Sequence, residues 1–144
     1  MAWIVVRVRG SIHARHDLVQ TLDQLHLTRP NHATIVPEVG DMRGMLTKVQ
    51  GYITWGEAEA ETVGKLLKAR GETPDGAKLG DAKDLDELSK SVLSNGLART
   101  PGVKPLFRLR APKGGWKSTK KPFAYGGALG YRGRAVNDLA LRMM

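Results

Sequence analysis

The chain of 144 residues is 41% hydrophobic and 26% charged, enough for one domain with a real core and unlike either a disordered chain or a membrane bundle. Lysine and arginine number 23 against 14 acidic residues, a formal charge of +9 that favours nucleic acid or an acidic membrane as partner. The absence of cysteine excludes disulfides, zinc ribbons and thiol catalysis. The apolar run Ala2 to Val6 is broken by Arg7 and Arg9, too soon for a signal-peptide core or a membrane span, so a soluble protein of a reducing compartment is expected.

Trp3 to Arg9 is β-branched and apolar and reads as a strand buried on much of both faces, with Arg7 and Arg9 emerging at its end. Leu18, Val19, Leu22 and Leu25 recur at helical spacing and predict a helix over 15–26, with Asp17 suited to its first turn. After Arg29-Pro30-Asn31, a second strand runs from His32 to Val36 and ends at Pro37. Met42, Met45, Leu46 and Val49 give the apolar face of a second helix, and Tyr52 to Trp55 a third strand. Residues 1–56 are thus expected to form a compact β-α-β-α-β core, because each helix must bury its stripe against a sheet.

Residues 57–100 read as an acidic helical extension packed on that core, most simply along the flank of the sheet. Val63, Leu66 and Leu67 mark one helix ending near Gly71, a polar connection runs from Gly71 to Gly80, and Leu85, Leu88, Val92 and Leu93 mark another helix ending at Asn95-Gly96. Residues 101–144 supply a short strand over Leu106 to Leu109, a basic glycine-rich stretch from Ala111 to Gly133, and a terminal helix carrying Val136, Leu139, Ala140 and Met143. The glycine-rich stretch has too little apolar area to offset backbone ordering of roughly 1 to 2 kcal/mol per residue, so it is expected to need a partner to become ordered. The fold class is α/β (α+β), one structural domain overall.

The charge is localised. Residues 1–56 carry a net +2, residues 57–98 a net −3, and residues 99–144 a net +10, so the excess belongs to the last third. Clustered cations reinforce one another within a Debye length of about 8 to 10 Å, which argues for a binding surface. Within that third, Trp116, Phe123, Tyr125 and Tyr131 are interleaved with Lys113, Lys117, Lys120, Lys121, Arg132 and Arg134. Aromatic faces stack on unpaired bases, cations neutralise phosphates, and glycines allow close backbone approach to a sugar-phosphate chain.

Other chemistry finds little support. His13, His16, His26 and His32 have no further ligand at a spacing that completes a metal site. Gly114-Gly115-Trp116-Lys117-Ser118 lacks the spacing of a phosphate loop, and Gly126-Gly127-Ala128-Leu129-Gly130 lacks the acid of a dinucleotide fingerprint. The acidic residues lie where helix capping and solubility explain them, so nothing asks for an enzyme.

Thr21-Leu22-Asp23-Gln24-Leu25-His26-Leu27-Thr28-Arg29-Pro30-Asn31-His32-Ala33-Thr34, with Gly44-Met45-Leu46-Thr47-Lys48-Val49 and Tyr52-Ile53-Thr54-Trp55-Gly56-Glu57, resembles the large-subunit ribosomal protein family numbered thirty in bacteria and archaea and seven in eukaryotes. Phe107 to Gly115 and Gly126 to Gly133 are similar to its longer archaeal form, and the likeness then covers nearly the whole chain. Ala111-Pro112-Lys113-Gly114-Gly115 departs from the Pro-Pro-Arg-Gly-Gly of related chains, a change that bears on how rigidly the basic loop is launched. The resemblance implies a three-stranded sheet with its first strand central and helices on one face, and a non-catalytic role on large-subunit rRNA, near the 5S rRNA.

The expected function is a structural constituent of the large ribosomal subunit, cytoplasmic and ribosome-associated. Its expected partners are large-subunit rRNA, with the 5S rRNA as a further candidate, and neighbouring ribosomal proteins, without cofactor, metal, membrane or small-molecule substrate. The expected RNA-binding residues are Arg7, Arg9, Arg29, Asn31, His32, Lys48, Arg108, Arg110, Lys113, Trp116, Lys117, Lys120, Lys121, Tyr125, Tyr131, Arg132 and Arg134. An RNA-processing or RNA-modifying enzyme and a free regulatory RNA-binding protein are the alternatives.

Overall fold

A computed structural model describes residues 2–10, 12, 14–73, 75–76, 85–96, 103–116 and 118–144. Lys117 of the expected interface, His13, and residues 74 and 77–80 of the expected polar connection lie outside the described residues. Strand β1 (Ala2–Arg7) is central, with β2 (His32–Pro37) and β3 (Ile53–Glu57) antiparallel on either side. Helices α1 (His16–Gln24) and α2 (Gly40–Lys48) alternate with these strands, in the order the sequence predicts.

Both faces of β1 are apolar, so both must be covered. Val5 on one face packs with Val36, Ile53 and Trp55 of the neighbouring strands under Leu22 of α1 and Leu46 of α2. Ile4 and Val6 on the other face pack with Ala33 and Ile35 under α3 (Ala60–Arg70), α4 (Leu85–Asn95) and α5 (Ala135–Met143). Helices α1 and α2 do share one face, but the two added helices take the opposite face rather than the flank. Leu66, Leu67 and Leu139 are fully or almost fully buried there, and each contributes roughly 1.5 to 3 kcal/mol by its burial.

The sheet grows beyond three strands. β4 (Phe107–Arg108) pairs antiparallel with the outer edge of β2, and β6 (Gly127–Tyr131) pairs parallel with the outer edge of β3. β5 (Ser118–Pro122) lies outside β6 in an irregular register, giving the order β4-β2-β1-β3-β6-β5. The glycine-rich stretch is therefore more ordered within the protein than its composition suggests. Ala128 and Leu129 are buried against Val8, and Thr54 Oγ1 donates to the Gly130 carbonyl at 2.7 Å. Strand pairing satisfies an edge of β3 whose backbone groups would otherwise lack partners, and glycines obscure the strand pattern because they contribute no side-chain alternation.

Candidate nucleic-acid interface

The antiparallel register gathers the end of β1, the starts of β2 and β3 and the β4 edge at one end of the sheet. Arg7 turns under this end and is only 2% exposed. Its Nη1 donates to the Leu27 carbonyl at 2.6 Å and its Nε to the Arg9 carbonyl at 2.9 Å, but Nη2 is buried without a partner. Asn31 follows in the left-handed region at φ 68°, held by its N–H donating to the Arg7 carbonyl at 2.8 Å. Its Oδ1 and the neighbouring His32 Nδ1 are likewise buried and unpartnered.

Among the described residues, these three are the buried side-chain polar atoms left without a hydrogen bond, and all three lie at this one end. Each costs about 1 to 3 kcal/mol when desolvated and unpaired, and folded proteins keep few of them. Burial lowers the Arg7 pKa against the opposing attraction of Asp23 and Tyr52, yet a guanidinium stays charged in a protein. Burial also lowers the His32 pKa, and Arg108, Arg29 and Arg7 push it down further, so the imidazole is neutral at pH 7.

The basic C-terminal segment arrives at the same end. Arg108 is the cross-strand partner of His32. The Arg110 N–H donates to the Met143 carbonyl at 3.0 Å and the Lys113 N–H to the Arg142 carbonyl at 3.2 Å, which lays the segment along the end of α5. Trp116 packs beside Val8, Ala128 and Leu129. Of the exposed cations, Arg29 and Arg108 stand close enough to His32 to act on its charge and Arg9 lies 5.4 Å over the Tyr52 ring, while Arg110 and Lys113 continue the basic segment along the end of α5. Beside them a cleft of about 350 Å³ is lined by Trp116, Phe123, Arg132 and Arg142, large enough for an unstacked base.

Several expected contact residues lie away from this end, and two of those expected at the surface are buried. Arg7 and Arg132 do not project into solvent. Arg132 is buried, donating from Nε to Thr54 Oγ1 at 2.7 Å and from Nη2 to the Ala128 carbonyl at 2.8 Å, with its guanidinium 4.8 Å over Phe123. Burial first, then the Arg142 charge, bring its pKa down to about 10. Tyr131 packs against Trp55 and donates its hydroxyl to the Glu57 carboxylate, which together with slight desolvation raises its pKa. Arg134 lines a surface hollow with Glu59 and Glu61. Lys48 stands 4.0 Å from Asp17, while Lys120, Lys121 and Tyr125 are exposed on β5 and the following 3-10 turn. Sequence reasoning names Phe123 among the interleaved aromatics without counting it as a contact residue, and it misses Arg142, whose charge is visible only as a last-turn helix cation.

No helix is long and apolar enough to cross a membrane, and no group of His, Asp or Glu could hold a metal ion among the described residues. A mixed α/β sheet with exposed arginines gathered at one end is the structure of a strongly basic protein, the class whose surface attracts polyanions. The family model described as "Ribosomal protein L30p/L7e" matches residues 3–53. The large ribosomal subunit protein uL30 of Methanococcus vannielii is 41% identical over 155 aligned positions covering 100% of both chains. Those of Nanoarchaeum equitans and Methanosphaera stadtmanae are 39% and 36% identical, covering 97% and 99% of both chains respectively. Because these alignments span almost the whole of both chains, the chain belongs to the uL30 family of large ribosomal subunit proteins, a family of structural proteins rather than enzymes.

Proposed function

We propose that this protein stabilises the large ribosomal subunit by binding large-subunit rRNA through the end of the sheet that carries Arg9, Arg29, Asn31, His32, Arg108, Arg110 and Lys113. The observation that carries the reading is the cluster of three orphaned buried atoms on Arg7, Asn31 and His32, flanked by exposed Arg9, Arg29 and Arg108. Arg7 Nη2 is a donor, Asn31 Oδ1 an acceptor and His32 Nδ1 either, a set that matches the phosphate and 2′-hydroxyl groups of an RNA strand. Trp116 and Phe123 offer the adjacent stacking surface, and Lys120, Lys121 and Tyr125 extend it along β5. Family membership supports the ribosomal setting, and proximity to the 5S rRNA and a cytoplasmic location are parts of the same proposal.

The test is binding to deproteinised large-subunit rRNA across a salt series. Replacing Arg29, Arg108 or Arg110 singly with Ala should flatten the log–log salt slope by about 0.7 to 0.9 for each phosphate no longer neutralised. An unchanged slope in all three variants would remove this end from the interface. Ultraviolet crosslinking within intact subunits decides the 5S arm: a crosslink to 5S rRNA supports it, and crosslinks confined to the large rRNA overturn it. Migration as a free protein in gradients of cell lysate would overturn the ribosomal setting and favour a free regulator.

A further inference from the structure

The opposite end of the sheet has the reverse chemistry. β1 begins where β2 and β3 finish, so Trp3 lies opposite Glu57 in the ladder and Glu38 follows the last residue of β2. There a cleft of about 430 Å³ is lined by Trp3, Trp55, Tyr131, Glu38, Glu57 and Arg43. Trp55 forms a buried wall, while Tyr131 is 51% exposed and leans against it with ring centroids 6.0 Å apart. The Tyr131 hydroxyl donates to the Glu57 carboxylate and so fixes both side chains at the rim.

Neither Glu38 nor Glu57 has an ion-pair partner within 4.0 Å among the described residues, although the chain as a whole carries +9. Arg43 reaches the rim without pairing with either, and two carboxylates against one guanidinium leave it net negative. Two unpaired carboxylates at the rim disfavour an RNA phosphate as the occupant. A purely apolar group would strip water from the carboxylates and return nothing. A guanidinium satisfies both requirements, because its flat face stacks on aromatic rings while its edge donates in pairs to a carboxylate.

We infer that this cleft receives an arginine side chain from a basic segment of a neighbouring protein in the large subunit. The inference rests on assembly into that subunit but not on which RNA the other end binds. One end of the sheet thus faces RNA and the other faces protein, and their opposite charges keep the two partners from exchanging places.

Two measurements test it. In the full-length protein the indole N–H resonances of Trp3, Trp55 and Trp116 are followed while the capped peptide acetyl-Gly-Arg-Gly-amide is added, and again with citrulline replacing the arginine. The Trp3 and Trp55 signals should move with the arginine peptide alone. Glu38→Gln with Glu57→Gln should weaken that response about fivefold or more, as expected when charge-assisted hydrogen bonds are removed. Equal shifts with the citrulline peptide, or no shift in a variant and parent that both remain folded, would overturn the inference. In purified large subunits, p-benzoylphenylalanine in place of Gln50, an exposed residue lining the cleft, should crosslink to an arginine-containing peptide of another protein. A crosslink to rRNA, to a second copy of this chain, or to nothing in subunits that retain the protein would overturn it, whereas loss of the protein from the subunit would show that assembly itself had failed.

Discussion

Replacing Asn31 by Gly separates the needs of the RNA interface from those of the fold. Asn31 sits at φ 68°, where a residue with a Cβ is strained by about 1 kcal/mol and glycine is not. Glycine's greater unfolded-chain freedom costs a similar amount, roughly 0.5 to 1 kcal/mol, so the backbone effects nearly cancel. What remains is the removal of a buried, unpartnered Oδ1, which recovers about 1 to 2 kcal/mol of desolvation, while the Asn31 N–H keeps its bond to the Arg7 carbonyl. Unfolding entropy scales as about 2.1 cal/mol/K per residue, near 0.3 kcal/mol/K for 144 residues, so Tm should rise by about 3 to 7 °C. RNA binding should weaken about tenfold, the worth of one hydrogen bond to a charged partner. The assays are thermal unfolding of the free protein and filter binding to deproteinised large-subunit rRNA at fixed salt. A lower Tm combined with unchanged affinity would refute the reasoning, because Asn31 would then be a structural residue whose acceptor the fold already satisfies.

Four further outcomes are expected. Because His32 is held below its ordinary 6.5 mainly by burial, the unfolded chain binds its proton more readily; the corresponding stability is full above about pH 6.5 and is lost as pH falls, so Tm should drop more steeply between pH 7 and 5 in the parent than in His32→Gln. Arg132→Lys keeps the charge but cannot serve both Thr54 Oγ1 and the Ala128 carbonyl, and should lower stability by about 2 kcal/mol, a fall in Tm of about 7 °C by calorimetry. A Cβ at Gly56 would stand 1.8 Å from the Gly133 carbonyl oxygen, so Gly56→Ala must force β3 and the β6–α5 connection apart at a cost of about 3 kcal/mol, whereas Gly44→Ala, on α2 with nothing within 4 Å, should add about 0.5 to 1 kcal/mol in denaturant titrations.

The separation of Arg7 from Arg9 shows where local reading stops. Two residues apart in a strand, they should share a face. Instead the Val8 and Arg9 N–H groups both donate to the Tyr52 carbonyl, at 2.9 and 3.2 Å, and this irregularity breaks the alternation just as the strand ends. Arg7 then turns toward the Leu27 carbonyl while Arg9 stays in solvent over Tyr52. Arg132 and Tyr131 make the same point: neighbours in one basic stretch, they are divided between the interior and an acidic cleft by the pairing of β6 with β3.

The sequence by itself determined the order of strands and helices in the first 56 residues, the helices that follow, the confinement of positive charge to the last third, and the family. These follow from spacings of three to four residues in helices, from apolar runs in strands and from short motifs, all properties of neighbouring residues. Only the tertiary structure decided that α3, α4 and α5 cover the second face, that the glycine-rich stretch adds strands to the sheet, and that Arg108 meets His32 while Tyr131 meets Glu57. Such outcomes depend on which distant backbone edges pair and which side chains lose their water together, and neither quantity exists until the chain has closed on itself.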